Sequence, residues 1–253
     1  MHQPSDSQKP QPLEPATNRL LQGLPPKLRD HLLNSCELVN LQFGTILCEA
    51  ERPFKYAYFP TTAFISLVTI VEDHQPLEMG LIGNEGMLGS TLSLGIPTAP
   101  MRALVQGSGK ALRISASQLR RELHAAPAFV NQLNRYVYVL LEQLAKTAAC
   151  IHFHETEPRL ARWLLMTHDR THADQLHLTQ EFLADMLGVR RSSVTVAAGL
   201  LQAKNIIHYS RGEIMILDRK GLEASACECY QMVIRDYEQV FAPPTTKNNP
   251  HLN

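Results

Sequence analysis

From residue 38 to residue 114 the apolar positions come in short runs separated by Gly, Pro, Asn and Asp: LVNLQFGTILCEA, YAYFP, AFISLVTIV, LEMGLI, MRALVQ and GKALRIS. Strands this short and this closely spaced predict a compact antiparallel barrel or roll rather than alternating strand-helix-strand units. Phe43-Gly44, Asp73-His74-Gln75-Pro76 and Gly83-Asn84-Glu85-Gly86 fall between the runs and carry turn chemistry. After Ala126-Pro127 the period changes. Val130, Leu133, Val137, Leu140, Leu144, Thr147 and Ile151 recur at alternating spacings of three and four in a stretch without Gly or Pro, with Phe129, Tyr136 and Leu141 widening the apolar face. That is the a/d seam of a long helix, and its narrow regularity predicts a homodimer made by the same helix of a second copy. Burial of this face against the helix's own domain is the competing explanation.

A third region opens at Pro158, with helical runs over Arg159 to His168, Thr179 to Leu187 and Ser192 to Ala203. Thr179 is a good N-cap, and Glu181 in the first turn suits the helix dipole. Phe182, Leu183, Met186 and Leu187 share one face, Gly188 supplies a bend, and Val194, Ala197, Leu200 and Leu201 give the next helix a buried face of its own. Two steeply crossed helices follow from this spacing. IIHYSRGEIMILD then predicts a β-hairpin turning at Ser210-Arg211-Gly212. Packing does not account for Arg190, Arg191, Ser192, Ser193 and Thr195, which gather at the start of the second helix, nor for Arg211 at the hairpin tip. Thr179 and Gln180 begin the first helix beside them. In a helix-turn-helix this end enters the major groove of double-stranded DNA, where arginine bonds guanine bidentately and Ser or Thr bonds phosphates or base edges.

Composition sharpens this. Twenty-four basic and twenty-four acidic residues cancel over 253 positions, so attraction to a polyanion has to be local. No apolar run approaches the roughly 18 to 20 residues that span a bilayer, and the start MHQPSDSQKPQP lacks an apolar signal core, so a cytoplasmic protein without a membrane partner is expected. Cys36, Cys48, Cys150, Cys227 and Cys229 form no Cys-x-x-Cys pair; on a continuous helix Cys227 and Cys229 would point about 200° apart, so structural thiols and no metal are expected. His152, His154, His168, His172 and His177 show no His-Glu-x-x-His spacing and are expected to be exposed or locally bonded. No nucleophile elbow, phosphate loop or paired-carboxylate motif is present, and no enzyme is expected.

The order of roll, long helix and helix-turn-helix resembles the Crp/Fnr family of bacterial transcription regulators from about residue 24 to 225. TQEFLADMLGVRRSSVTVAAGLLQ aligns without a gap to the family's DNA-binding motif, and YAYFP and LEMGLIGNEGMLG carry the likeness in the roll. The resemblance implies an α+β chain: an antiparallel, cyclic-nucleotide-binding-like β-roll (cupin or jelly-roll type) over 18–126, a dimerisation helix over 127–157, and a winged helix-turn-helix over 158–225. Disordered tails are expected at 1–17 and 243–253, the second ending a C-terminal extension that begins at 226. It further implies a homodimer reading a palindromic operator, contact with RNA polymerase, and a small-molecule effector of unknown identity, with no cofactor. Two departures matter. The family's recognition helix reads Arg-Glu-x-Val-x-Arg where this chain has Arg191-Ser192-Ser193-Val194-Thr195-Val196, so a different half-site is expected. Members that bind cyclic AMP carry Gly-Glu-Leu and Arg-Ser-Ala, whereas the effector segments here read Gly86-Met87-Leu88 and Met101-Arg102-Ala103. Met87 cannot accept the ribose hydroxyl, and Arg102, one place off, belongs to the other face of its strand. Cyclic AMP held in the usual way is not expected, nor is an iron–sulfur centre, since the amino-terminal cysteine cluster is missing. The alternative function is a ligand- or partner-binding sensor or scaffold that never touches DNA.

Overall fold

The computed structural model describes residues 17–241, so the expected tails at 1–16 and 242–253 lie outside the described residues. Two short helices, α1 (Arg19–Gln22) and α2 (Pro26–Asn34), precede seven strands: β1 (Glu37–Leu41), β2 (Ile46–Cys48), β3 (Tyr56–Pro60), β4 (Phe64–Thr69), β5 (Leu77–Ile82), β6 (Arg102–Gly107) and β7 (Gly109–Ser115). All pair antiparallel, in a three-stranded sheet ordered β1-β7-β3 and a four-stranded sheet ordered β2-β6-β4-β5. This is the expected roll. Its core holds Leu41, Ala57, Phe59, Ile65, Leu67, Val105 and Ile114 between the sheets.

Helices α3 (Ala116–Ala125), α4 (Pro127–Phe153) and α5 (Thr156–Thr171) follow, then strand β8 (Gln175–His177), helices α6 (Gln180–Leu187) and α7 (Arg191–Ala203), the hairpin β9 (Ile207–Ser210) and β10 (Glu213–Ile216), and helices α8 (Arg219–Ser225) and α9 (Cys229–Phe241). Strand β8 joins the hairpin in a sheet ordered β8-β10-β9. The four-residue α1, the roll's flanking helices and α9 were not announced by the apolar period. Helix α9 lies along α4, tied by an ion pair of Lys146 with Asp236 and by Tyr237, whose hydroxyl donates to the Glu85 carbonyl at 2.6 Å. No helix among the described residues is long and apolar enough to cross a membrane.

Strand β4 explains where the C-terminal part sits. AFISLVTIV does not alternate, and both faces of β4 are buried: Ile65 and Leu67 enter the roll's core, while Phe64 and Val68 join Leu81 in a second core with Leu160, Trp163, Leu164, Leu183, Val194 and Leu201. The C-terminal helices therefore cover the outer face of the roll. Under that cover lies Glu78 of β5, accepting from Trp163 Nε1 at 3.0 Å and from the Ser66 hydroxyl at 2.5 Å. Burial pushes its carboxyl up to about 7, against the opposing pull of those two hydrogen bonds and of the Arg162 and Arg170 guanidiniums.

The α4 seam departs from expectation. Leu133 and Thr147 are buried within the chain, Thr147 accepting from Arg162 at 3.2 Å, and Val130, Val137, Leu140, Leu144 and Ile151 are half-covered by the chain's own residues. The inward face also takes Phe129, Tyr136, Gln143 and Cys150. The chain's own domains thus cover most of the seam. What remains outside is the stripe one position on, Asn134, Tyr138, Leu141, Ala145, Ala148 and His152, all exposed and again spaced by four and three; Tyr138 and Leu141 are 53% and 62% exposed.

A raised carboxyl costs stability once it ionises. The Glu78 proton is held in the folded chain to about pH 7 but is lost from the unfolded chain near its ordinary 4.5, so stability falls as pH rises through that window and stays lower above it. Glu78→Gln keeps an acceptor for Trp163 and removes the charge. Urea unfolding should show little difference between variant and parent at pH 4.5, and a variant more stable by up to about 3 kcal/mol at pH 8. Parallel pH profiles would show that the carboxyl titrates normally.

Candidate nucleic-acid interface

Thr179 caps α6, its Oγ1 accepting from the Phe182 N–H at 3.2 Å. The helix ends at Gly188, where the expected bend is made in the left-handed region, with a φ of 61° and the Val189 N–H returning to the Ala184 carbonyl at 3.0 Å. Buried Arg159 donates to the Leu187 carbonyl, satisfying a group at that helix end and fixing the bend from below. Helix α7 then begins from Arg190, which is extended and offers no side-chain cap. Its first N–H groups are left without a side-chain acceptor, so the positive end of the helix dipole faces outward among arginines. Val194, Ala197, Ala198 and Leu201 fix its inner face in the second core.

One cleft is lined by Thr179, Gln180, Arg191, Tyr209, Arg211 and Gly212. Four of the sequence-derived positions thus meet across two helices and the hairpin. Thr195 faces the same side: it is exposed, and its hydroxyl lies 2.9 Å from Gln180 Oε1 and 3.1 Å from the Arg191 carbonyl. Arg190 is exposed at the cap position. Ser192 and Ser193 part from this group. They line a second depression with Val196, against Glu155 and Glu157 at the start of α5. Arg190, Arg191 and Arg211 form no ion pair among the described residues, although Lys204 of the same helix pairs with Glu157 at 2.5 Å.

Two side chains were missed. Tyr209 holds the hairpin to the helices: its hydroxyl donates to the Leu178 carbonyl at 2.8 Å and its N–H to Gln202 Oε1 at 2.7 Å. Burial raises its phenol while nearby Arg191 draws it down. The alternation in Ile207-His208-Tyr209-Ser210 was the signal for its facing. Val196, read only as a lost arginine, is 64% exposed on the outer face of α7. An exposed methyl pair there suits contact with a thymine methyl.

The effector segments of the roll lie elsewhere. Met87 and Leu88 are buried in the roll's core, with the Leu88 backbone bridged to Tyr58, and the Tyr136 ring of α4 fills the space that a side chain at Gly86 would need. Met101 packs partly against the core, whereas Arg102 faces outward and pairs with Glu49 at 2.8 Å. Buried Ala103 and Val105 occupy the inner positions of that strand, which agrees with the parity argument. A separate cavity of about 180 Å³ lies between α4, α5 and α9, bordered by Arg19, Glu85, Asp169, Arg170 and Tyr237.

Two helices joined at a left-handed glycine and followed by a paired hairpin make residues 158–225 a winged helix-turn-helix, and this segment matches the Crp-like helix-turn-helix domain. A search of curated protein sequences finds no match. Solved structures share the fold of the longer chain: a Crp/Fnr-family protein of Eubacterium rectale (TM-score 0.65, 17% identity, 81% of this chain and 96% of that one), a Crp/Fnr-family transcriptional regulator of Thermus thermophilus (0.63, 21%, 75% and 98%), and the c-di-GMP-responsive global regulator CLP of Xanthomonas campestris (0.62, 17%, 75% and 98%). The domain match places residues 158–225 among Crp-like helix-turn-helix domains, and the longer chain shares the fold of these Crp/Fnr-family structures.

The hairpin tip carries strain. Arg211 and Gly212 have φ of 50° and 84°, the two positive values that a two-residue turn of the I′ kind needs, and an L side chain disfavours the first by about 1 to 2 kcal/mol. Arg211→Gly should therefore raise stability by about 1 kcal/mol, a few degrees in melting temperature by calorimetry. A lower melting temperature would show that the guanidinium is held by the chain itself.

Proposed function

We propose that the protein is a homodimeric, sequence-specific DNA-binding transcription regulator, with 18–126 as its sensor domain, 127–157 as its dimerisation helix, 158–225 as its DNA-binding domain and 226–253 as a C-terminal extension. The observation that carries the reading is the meeting of Arg191, Arg211, Thr179 and Gln180 in one cleft at the open end of α7, with the arginines unpaired. In a chain of zero formal net charge this is a local site for a polyanion. Helix α7 enters the major groove, where Arg191 reads a base and Thr195 and Val196 border neighbouring positions. Arg211 reaches phosphates beside the groove, as do Thr179 and the backbone at Arg190. Ser192 and Ser193, beside Glu155 and Glu157, serve the flank of the helix.

Two-fold pairing along α4 sets the spacing of two copies of α7, and hence a palindromic operator. The exposed stripe through Tyr138, Leu141, Ala145 and Ala148 makes that contact, with the half-covered Val137, Leu144 and Ile151 at its margin. Small alanines at two of its positions let the paired helices approach closely. The packing of Met87, Leu88 and Tyr136 and the outward turn of Arg102 support a roll that does not hold cyclic AMP in the usual way. Contact with RNA polymerase and a different small effector belong to the same reading.

Base-edge and phosphate contacts leave different traces when removed. Selection of random duplexes should give the parent a two-fold symmetric motif. Arg191→Ala should lose about 1 to 3 kcal/mol on the best operator and relax one symmetric base pair in each half-site. Arg211→Gly should weaken all duplexes alike and make the salt slope shallower by about one unit per subunit. A parent that retains no duplex above background, or the same motif from Arg191→Ala, would overturn the assignment.

Leu141→Glu should convert the dimer to a folded monomer in sedimentation, because a carboxylate would face its own copy across the two-fold. Dimerisation unchanged in this variant would move the contact off the stripe.

A further inference from the structure

Three of the five cysteines and one histidine meet where the end of α4 touches the link between α8 and α9. Cys150 and His154 are one helical turn apart on α4. The expected divergence of Cys227 and Cys229 assumed one continuous helix, and it fails because α8 ends at Ser225, Ala226 is extended, and α9 begins only at Cys229. Both thiols can therefore turn toward α4. The three sulfurs and one imidazole nitrogen all lie within 4.8 Å of one another, with Cys150 Sγ 3.5 Å from Cys227 Sγ and His154 Nδ1 3.7 Å from Cys229 Sγ. The 3.5 and 3.7 Å separations match the edges of a tetrahedron, roughly 3.3 to 3.8 Å, whose arms are about 2.0 to 2.3 Å long, and small side-chain rotations bring the remaining pairs, all within 4.8 Å, to the same distance.

We propose that Cys150, His154, Cys227 and Cys229 bind one thiophilic divalent cation, Zn²⁺ by ligand set, in a closed four-coordinate site. The three cysteines are buried apart from the two main cores, as a structural site requires, and none of their neighbours explains the grouping as packing alone. The histidine is already oriented: its Nε2 lies 3.2 Å from the Glu228 carboxylate, leaving Nδ1 toward the thiols. Three thiolates and a divalent cation leave one negative charge, and Arg159 and Arg162 act on the same sulfurs. An iron–sulfur cluster spreads its four protein ligands over two or more irons, and ligand atoms this close leave room for a single ion. A Cys150–Cys227 disulfide would leave Cys229 and His154 without a role. Binding displaces the three thiol protons to solvent.

The position gives the ion a mechanical consequence. Cys150 and His154 stand just before the winged helix-turn-helix, and Cys227 and Cys229 just after it, so one ion closes a loop around the whole domain and pins its entry and exit to the end of α4.

Full-length protein, reduced and stripped with chelator, should take up one Co²⁺ per chain with thiolate charge-transfer bands and the intense visible bands of tetrahedral cobalt, and Zn²⁺ should displace it. Cys227→Ser and Cys229→Ser should each lose that spectrum, while Cys36→Ser and Cys48→Ser, both in the roll, keep it. Glu228→Gln should weaken Zn²⁺ binding about 10-fold. In the unsubstituted protein Zn²⁺ should protect three of five cysteines from alkylation, a measurement independent of any variant's folding. Failure of reduced protein to bind Co²⁺, weak octahedral bands, a spectrum retained in Cys227→Ser, or alkylation unchanged by Zn²⁺ would each overturn the site. Because no DNA is involved, these results stand apart from the regulatory reading.

Discussion

Strand β4 of the roll is buried on both faces, and most of the architecture answers to that. Ile65 and Leu67 are satisfied by the opposite sheet, but Phe64, Val68 and Leu81 would lie against water if the C-terminal helices did not cover them. Each such side chain contributes about 1.5 to 3 kcal/mol when fully buried. Trp163, Leu160 and Leu164 of α5 supply the cover, and α5 in turn carries α7 through the shared core. The same burial traps Glu78, which keeps its place by bonding Trp163 and Ser66 and, with its carboxyl raised to about 7, is only partly ionised at neutrality. The position of α7 thus follows from a packing requirement of the roll.

Helix α4 divides its circumference between two neighbours and an exposed face. Phe129, Leu133, Tyr136 and Gln143 face the roll, Lys146 faces Asp236 of α9, and Tyr138 and Leu141 face outward. Residues one apart on a helix differ by about 100°, so a seam displaced by one position belongs to a different neighbour. An apolar helix with several partners carries several overlapping seams in one sequence. Cys150 and His154 extend the same division to the helix end, where the chain following α8 returns.

The charge distribution follows a similar logic. Acidic groups around the core hold nearby cations, as Glu85 does Arg170 and Asp169 does Arg219. Arg190, Arg191 and Arg211, which have no ion-pair partner among the described residues, cluster at one end of α7, where a helix dipole adds to their field. Arg211 sits in a backbone conformation that favours glycine, a local cost placed where a cation is carried to the tip of the hairpin.

Local rules made much of this legible in advance. The strands between 38 and 114, the helices at 156–171, 180–187 and 191–203, the bend at Gly188 and the turn at Arg211-Gly212 all follow from period, caps and turn residues, because each depends on neighbours within a few positions. The cluster of arginines at the start of α7 was legible for the same reason. What the sequence by itself could not decide was which face of α4 its own chain would cover, that Ser192 and Ser193 would part from Arg191, or that α9 would fold back along α4. Nor could spacing reveal Cys150, His154, Cys227 and Cys229 as neighbours. Cys150 and Cys227 are 77 positions apart, and only the break at Ala226 together with the docking of the whole C-terminal part on the roll brings the four residues to one point. Periodicity reports a residue's local facing, whereas the choice among possible partners is made by the packing of distant elements.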